Sequence, residues 1–307
     1  MAQLIKLQDY ISRYEKDFYR YPGQFLRMKK ESWSALLHKW EEQQSIQNEL
    51  PSPEKEERRF GFNFFKKKKE VESFLVEDGE DKETIFAKDE EELKKYFLDY
   101  LYPFQIKWAS STIYETSMID NTYYHDPLLK YFLYRYPDTF FVMFYPIFKL
   151  KNAVVDGDII VITPIEVLCI AMVEKSENVS IIAEEGRTWY LQEGDIKTKT
   201  LSPMIGLKRT ENIVKSILNK YEIAMPTRKV VLSRTNNIIF GSEPYRTSYI
   251  GKDSYSNWFQ QMRKLSSPLK HDQLKVGEAL LNHCLTTAIR RAEWEQDEEE
   301  DSYNPFQ

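Results

Sequence analysis

The stretch AVVDGDIIVITPIEVLCIAMV, residues 153–173, decides the fold of this chain. Two apolar, β-branched runs flank Thr163-Pro164, and because proline cannot donate a hydrogen bond to a sheet, this pair marks a break between two strands. The second run, Val167–Val173, is apolar almost throughout, which is typical of a strand that is buried on both faces. The stretch therefore predicts two strands in the middle of a mixed α/β sheet.

Two acidic residues interrupt the first apolar run. Asp156 and Asp158 are separated only by Gly157, and residues two apart in a continuous strand point to the same face. Both carboxylates would then lie together on an otherwise apolar strand, which is how metal-dependent nucleases place their ligands. The alternative is a bulge or turn at these three residues with solvated acids, and the spacing is equally compatible with it.

The composition indicates a folded protein with one main domain and an extension. The 307 residues are 42% hydrophobic and 30% charged, and the net charge is −5, so nucleic-acid binding would need a local basic patch. Cys169 and Cys284, the only cysteines, are predicted to be buried free thiols in a reducing cytosol, without the ligand spacing of a zinc site. No apolar run is long enough to span a membrane, so we expect a cytoplasmic protein without a membrane partner.

The first 92 residues predict an N-terminal extension and a linker. Apolar residues recur at helical spacing within residues 1–44, and Tyr21-Pro22-Gly23 interrupts them, which predicts an N-terminal helical hairpin. Residues 45–92 are mostly charged and predict a linker. Its basic run is a candidate binding segment for phosphate or for an acidic partner, although a solvated stretch is the alternative; the run consists of Lys66, Lys67, Lys68 and Lys69.

Residues 93–295 predict the main α/β domain, with a central mixed sheet flanked by helices. Asp126-Pro127 is a typical helix start, and Ser202-Pro203 opens a second helix that runs to about Tyr221. The acidic tail, residues 296–307, is predicted to be disordered. The remaining expectations are a helix ending near Pro103, strands over 140–150, 153–162 and 167–173, a hairpin over 179–192, strands over 229–233 and 237–240, and helices over 257–264 and 273–291.

This order of elements resembles the nuclease-related domain (NERD) family, a branch of the PD-(D/E)XK nuclease fold. The resemblance covers residues 110–290 approximately. It rests on the acid before an apolar strand, a Thr-Pro turn, a second apolar strand, a tryptophan, a helix opened by Ser-Pro, and a Val-rich strand. In this sequence these features are Asp158, Thr163-Pro164, Val167–Ile170, Trp189, Ser202-Pro203 and Lys229-Val230-Val231-Leu232.

The chain departs from this family at the catalytic positions. The family's Glu-x-Lys falls on Ala171-Met172-Val173, and its glutamine after the helix-opening proline falls on Gly206. Only Asp158 matches. Because a divalent cation needs at least two carboxylates for useful affinity, the resemblance implies a nuclease-like fold without the catalytic groups.

Two functions follow from this comparison. The first is a non-catalytic nuclease-related protein that acts as a binding or scaffold module for a protein partner or nucleic acid, with no cofactor expected. The second is a DNA nuclease that depends on Mg²⁺ or Mn²⁺. Its displaced site would use Asp156 and Asp158 as metal ligands together with Glu174 and Lys175, and Glu166 is a further candidate carboxylate.

A second set of candidates is basic. Lys208 and Arg209 lie near the start of the helix after Ser202, where free backbone N–H groups favour an anion. With Arg187 they form a candidate phosphate-binding patch, which Arg228 and Lys229 would extend. Ordinary surface charge is the alternative.

Overall fold

The computed structural model describes residues 1–49, 87–151 and 153–291. The α-helices of these residues are α1 (Tyr21–Glu49), α2 (Glu90–Trp108), α3 (Pro127–Arg135), α4 (Met204–Lys220), α5 (Lys252–Lys264) and α6 (His271–Leu281). The strands are β1 (Gln3–Leu7), β2 (Glu115–Thr116), β3 (Phe141–Phe144), β4 (Ile147–Leu150), β5 (Ala153–Asp156), β6 (Ile159–Ile162), β7 (Val167–Met172), β8 (Ser180–Ile182), β9 (Thr188–Glu193), β10 (Ile196–Leu201), β11 (Thr227–Leu232), β12 (Ile238–Ile239), β13 (Thr247–Ile250) and β14 (Ile289–Arg290).

A mixed six-stranded sheet forms the centre of the fold, in the order β1-β3-β6-β7-β11-β13. β6 is antiparallel to both of its neighbours, β3 and β7, whereas β11 is parallel to β7 and to β13. The second apolar run of the opening stretch forms β7, as predicted. The strand expected over 153–162 is split: β6 pairs with β7 in the middle of this sheet, whereas β5 pairs with β4 in a separate two-stranded sheet. The side chains of β6 and β7 are buried because both faces of the sheet are covered.

Helices flank this sheet, so the predicted α/β class is confirmed. α4 and α6 pack together with β6, β7 and β11 in one apolar core. α3 and α5 contact β3 and β13, and their rings meet where Tyr136 packs edge-on against Phe259. Asp126 caps α3 as predicted, since its carboxylate accepts from the N–H groups of Leu128 and Leu129. Among the described residues, no helix combines the length and apolar character needed to cross a bilayer.

A second sheet of four strands has the order β10-β9-β8-β12. The predicted hairpin is present as β8 and β9, but the structure adds β10, which the sequence did not indicate. β10 reads IKTKTL and is exposed almost throughout, so its polar middle lacks the apolar alternation that would predict a strand. Trp189 of β9 is completely buried and anchors this sheet by an edge-on contact with Tyr249.

The N-terminal segment corrects the predicted helical hairpin of residues 1–44. β1 is an edge strand of the central sheet, parallel to β3, and α1 begins where a break was expected. Leu4, Leu7 and Ile11 have helical spacing, but all of β1 is buried, and burial outweighs that spacing. Its polar residues have buried partners: the Gln3 amide donates to the Asp138 carbonyl and Lys6 pairs with Glu15.

Contacts divide the chain into two compact units. Met1–Lys29 and Leu98–Gln307 form the first, so the start of the chain belongs to the main α/β unit and not to a separate extension. Lys30–Phe97 form the second, in which the Trp40 indole N–H donates to the Ala87 carbonyl at 2.8 Å. Both ends of the predicted linker, residues 45–92, are helical, because α1 continues to Glu49 and α2 starts at Glu90. Its middle, and the predicted tail of residues 296–307, lie outside the described residues.

Three further boundaries differ from the sequence prediction. The expected strand over 140–150 is split into β3 and β4 at Tyr145-Pro146, where Tyr145 has a φ of 48°. The helix expected to end near Pro103 continues through it, since Ile106 and Trp108 beyond the proline are buried. The helix over 273–291 ends as α6 at Leu281, because the residues after it pair with other segments, including β2.

Candidate functional site

The motif positions of the resemblance meet at one edge of the central sheet. β6 begins where β7 ends, because the two strands are antiparallel and Ile159 is paired with Ile170. If this register is continued by one residue beyond the strand, Asp158 falls opposite Ala171. β3, β7 and β11 run in the same direction, so their carboxyl ends share this edge with the start of β6.

Asp158 is held against helix α4 by a threonine. The Asp158 backbone N–H donates to Thr210 Oγ1 at 2.9 Å, and the Thr210 hydroxyl donates to Asp158 Oδ2 at 2.9 Å. Burial raises the pKa of Asp158, while the Thr210 hydrogen bond and the nearby Arg209 charge oppose that rise. The site therefore contains an acid that is partly removed from water and fixed by a neutral hydroxyl.

Gly206 allows α4 to approach this carboxylate. A Cβ atom at position 206 would lie 3.0 Å from Asp158 Oδ2, closer than side chains normally come. Thr210 lies four residues later on the same helix face. The positions that the resemblance assigns to the family's aspartate and glutamine are therefore in contact, and here a glycine occupies the second one.

Apolar side chains occupy the other two motif positions. Ala171 is 8% exposed and belongs to the core formed with Met204 and Leu207 of α4, and Val173 packs against the same core. The space beside Asp158 is consequently lined by a methyl group where the family has a carboxylate. Within the described ranges, no group of three or more His, Cys, Asp or Glu side chains is arranged to hold a metal ion.

Asp156 and Asp158 do not share a strand face. The chain turns at Gly157, whose N–H donates to the Pro146 carbonyl at 2.8 Å, and a Cβ there would press on the Phe148 ring. Asp156 is the last residue of β5, which pairs only with β4, and its side chain is exposed. The structure thus contains the turn and not the continuous strand, and only one of the two carboxylates is anchored to α4.

Glu174 and Lys175 have other contacts. The Glu174 carboxylate binds the Arg234 guanidinium with two hydrogen bonds, one of them from Nη2 at 2.7 Å. These bonds hold the pKa of Glu174 below its usual value, and the guanidinium carbon lies 4.5 Å from the centroid of the Tyr131 ring. Lys175 is exposed, and only its backbone N–H is fixed, by Asn236. The structure does not join these residues to Asp158 by any hydrogen bond or ion pair that it describes.

Two more candidates are engaged elsewhere. Glu166 precedes β7, at the strand end away from Asp158, and accepts from Arg228 Nε at 3.1 Å. Lys229, expected to extend the basic patch, is buried, and its ammonium lies 2.6 Å from the Glu211 carboxylate. Burial would raise the pKa of Glu211, but Lys215 and Lys229 outweigh it and lower that pKa. Lys229 therefore does not extend the basic patch. It lies on an interior strand, β11, where a charged side chain needs a buried partner.

The three predicted phosphate-binding residues inside the described ranges lie around the start of α4. The Arg187 carbonyl accepts from the Ser202 N–H at 2.9 Å, which brings the β8–β9 turn next to this helix. Lys208 and Arg209 lie in the second turn of α4, and all three side chains are exposed. Lys66, Lys67, Lys68 and Lys69 lie outside the described residues.

Sequence reasoning missed several residues of this edge. Thr210 could have been found from its spacing of four residues from Gly206, because both then face the same way on a helix. Arg234 gave no signal, since it follows β11 sixty positions after its partner Glu174. Tyr145 and Gln8, which follow the adjacent parallel strands β3 and β1, both have positive φ angles, 48° and 45°. Such conformations are uncommon outside glycine, and the sequence does not encode them visibly.

Comparison with known proteins gives little to add to this geometry. No family model matches the chain, and no solved structure matches it. One curated protein from Geobacillus stearothermophilus, named RNA 2',3'-cyclic phosphodiesterase, is 51% identical over 41 residues. That stretch covers 13% of this chain and 13% of the other protein, so the chain spans only a small part of that relative's length.

Proposed function

We propose that this protein is a non-catalytic relative of the nuclease-related domain family that acts as a binding or scaffold module for a protein partner or nucleic acid. The order of elements supports this proposal. Along the chain, α3, β3, β6, β7, α4 and β11 occur in this order, with β4 and β5 between β3 and β6, and with β8, β9 and β10 between β7 and α4. This is the order on which the resemblance to the PD-(D/E)XK nuclease fold rests.

One observation carries the proposal. The Asp158 carboxylate lies against Gly206, and the strand register that pairs Ile159 with Ile170 ends one step short of Asp158 and Ala171. Of these three positions, which the resemblance assigns to one site, only Asp158 carries a charge. A methyl group cannot replace the second carboxylate of a metal site. Val173, at the position of the family's lysine, cannot steady an attacking water or a developing negative charge. The arrangement is that of a catalytic edge whose reactive groups have been replaced by apolar ones.

A cleavage assay tests this proposal directly. Supercoiled plasmid, linear DNA and RNA are incubated with the full chain in Mg²⁺ and in Mn²⁺, with Asp158→Ala in parallel. We expect no cleavage above a buffer control from either protein. Metal-dependent nicking that Asp158→Ala abolishes would overturn the proposal in favour of a nuclease with a displaced site, formed from Asp156, Asp158, Glu174 and Lys175.

A restoration variant provides the second arm of the same test. Ala171→Glu with Val173→Lys returns the missing carboxylate and lysine to the strand beside Asp158. We expect Mn²⁺ to raise the melting temperature of this variant and not that of the wild type, because two carboxylates suffice to hold the cation. Adding Asp158→Ala should remove the effect. A folded double variant that Mn²⁺ leaves unchanged would contradict the inferred relation between these positions.

A further inference from the structure

The second sheet leaves one face open to solvent. Side chains alternate along its strands, and Ile181 and Trp189 point inward, where both are almost completely buried. The residues next to them point outward. We call this outward surface the open face and define it by Ile182, Tyr190, Lys197, Lys199, Leu201 and Ile239.

The open face carries apolar side chains among polar ones, since Ser180, Thr188 and Gln192 point outward in the same register. Leu201 is 70% exposed and Ile239 is 53% exposed. Tyr190 is paired with Ile182, and Ile182 with Ile239, so these side chains form one strip across three strands. A contiguous apolar strip on the solvent side of a sheet is typical of a surface that binds a partner.

The charged side chains on this face are both cationic. Lys199 is the cross-strand partner of Tyr190, and Lys197 lies two residues away, so the two lysines are spaced by about 7 Å along β10. Glu184 in the β8–β9 turn lies 3.6 Å from the Lys197 ammonium. The same turn carries a third exposed cation, Arg187, beside a second exposed acid, Glu185. Such a surface complements an anionic partner with flat or apolar groups.

The Tyr190 ring is already used as a cation-binding surface. The Lys197 ammonium lies 4.0 Å from the ring centroid and covers one face of the ring. An exposed cation–π contact is weaker than the stacking of a nucleobase on an aromatic side chain. A base can therefore displace the ammonium from the ring, which frees Lys197 to contact a phosphate beside that base.

We propose that the open face binds single-stranded nucleic acid, with a base stacked on Tyr190 and the phosphate backbone along Lys197 and Lys199. Single strands are favoured over duplexes because a duplex hides the faces of its bases and cannot stack them on a ring. The aliphatic side chains Ile182 and Ile239 would contact the neighbouring base or sugar. This inference rests on the proposed binding role, for which single-stranded nucleic acid is the partner.

Fluorescence anisotropy with labelled oligothymidylate and oligouridylate of about 12 nucleotides, at about 50 mM salt, tests this inference. We expect the full chain to bind, Tyr190→Ala to weaken binding about tenfold, and Tyr190→Phe to retain it, because stacking needs only the ring. Absence of binding, or equal affinity of Tyr190→Ala and the wild type, would overturn the inference. A preference for duplex over single strand would do the same.

The salt dependence of binding distinguishes phosphate contacts made by the lysines of the open face from attraction by positive charge elsewhere on the protein. Lys197→Gln with Lys199→Gln should reduce the slope of log affinity against log salt by about 1.4, since each phosphate contact on a single strand contributes about 0.7. The matched control, Lys252→Gln with Lys264→Gln on α5, removes the same charge from another exposed surface and should leave the slope unchanged. Equal effects of the two pairs would refute the assignment. Cleavage of the probe would contradict the proposed function instead, so the two failures are distinct.

Discussion

At the level of single residues, Asp158 is the informative position. It is an acid partly removed from water, and the Thr210 hydroxyl donates a hydrogen bond to its carboxylate. The sequence predicted that the strand after Asp158 is followed by a second buried strand and that a helix opens after Ser202-Pro203, and both elements are present. It could not predict the Glu174–Arg234 pair, since that contact joins two loops whose conformations depend on the assembled sheet.

The raised pKa of Asp158 leads to a prediction about stability. A carboxyl whose pKa is higher in the folded than in the unfolded state favours folding when protonated, and loses that contribution as the pH rises through the folded pKa. Asp158→Asn keeps an oxygen for the Thr210 hydrogen bond and removes the buried charge. We therefore expect it to raise the midpoint of urea unfolding at neutral pH, with a gain that shrinks towards about pH 4. A lower midpoint at neutral pH would show that the ionised carboxylate stabilises the fold.

At the level of secondary structure, prediction succeeded where the pattern was local. β7, the β8–β9 hairpin and α4 combine strong apolar patterns with clear turn residues, and each appears where expected. β1 and β10 were missed for opposite reasons. β1 has buried polar residues whose partners come from distant segments, whereas β10 has almost no apolar residues and is a strand because it continues the β9 hairpin.

Helix α6 provides a test of packing between elements. Gly277 lies in its middle, and a Cβ atom there would overlap the Phe18 ring, which itself packs edge-on against Phe141 at 5.2 Å. Gly277→Ala should therefore destabilise the protein by about 1–3 kcal/mol through overpacking, although alanine favours a helix.

The control for this prediction is a double variant. Phe18→Leu should itself be destabilising, but in that background the added methyl group of Gly277→Ala should cost much less, because the smaller side chain leaves room for it. Urea unfolding of the wild type, the two single variants and the double variant gives the coupling energy between positions 18 and 277. A stabilising Gly277→Ala in the wild-type background would show that the helix can shift at no cost.

At the scale of the main unit, the buried ammonium of Lys6 connects the N-terminal segment with the segment after α6. The Lys6 side chain is completely buried, and its ammonium contacts Glu15, the Tyr10 carbonyl and the Thr286 hydroxyl. No periodicity in the sequence signals this arrangement, because its members lie in three different segments. The sequence predicted the layers of the fold but not how the N-terminal strand and the segment after α6 are joined.

Removal of Lys6 should affect the whole unit. Lys6→Met leaves Glu15 without its buried partner and should cost about 3–5 kcal/mol in the free energy of unfolding. Hydrogen exchange of residues 282–291 should accelerate in the same variant, since Thr286 loses its contact with the ammonium. Lys16→Met is the matched control, because Lys16 pairs with Glu115 at the surface and should cost less than about 1 kcal/mol. Equal costs for the two variants would contradict the structural role of the buried ammonium.

The pairing of β1 with β3 also constrains how the chain acquires its fold. Gln3 is matched with Phe141, so a long stretch of chain separates the two members of this parallel pair. A pair of such high contact order forms slowly, because the loop between the strands must close before any of their hydrogen bonds can form. Until that loop closes, β1 is an apolar segment without a partner in the sheet, and exposed segments of this kind are where folding intermediates aggregate.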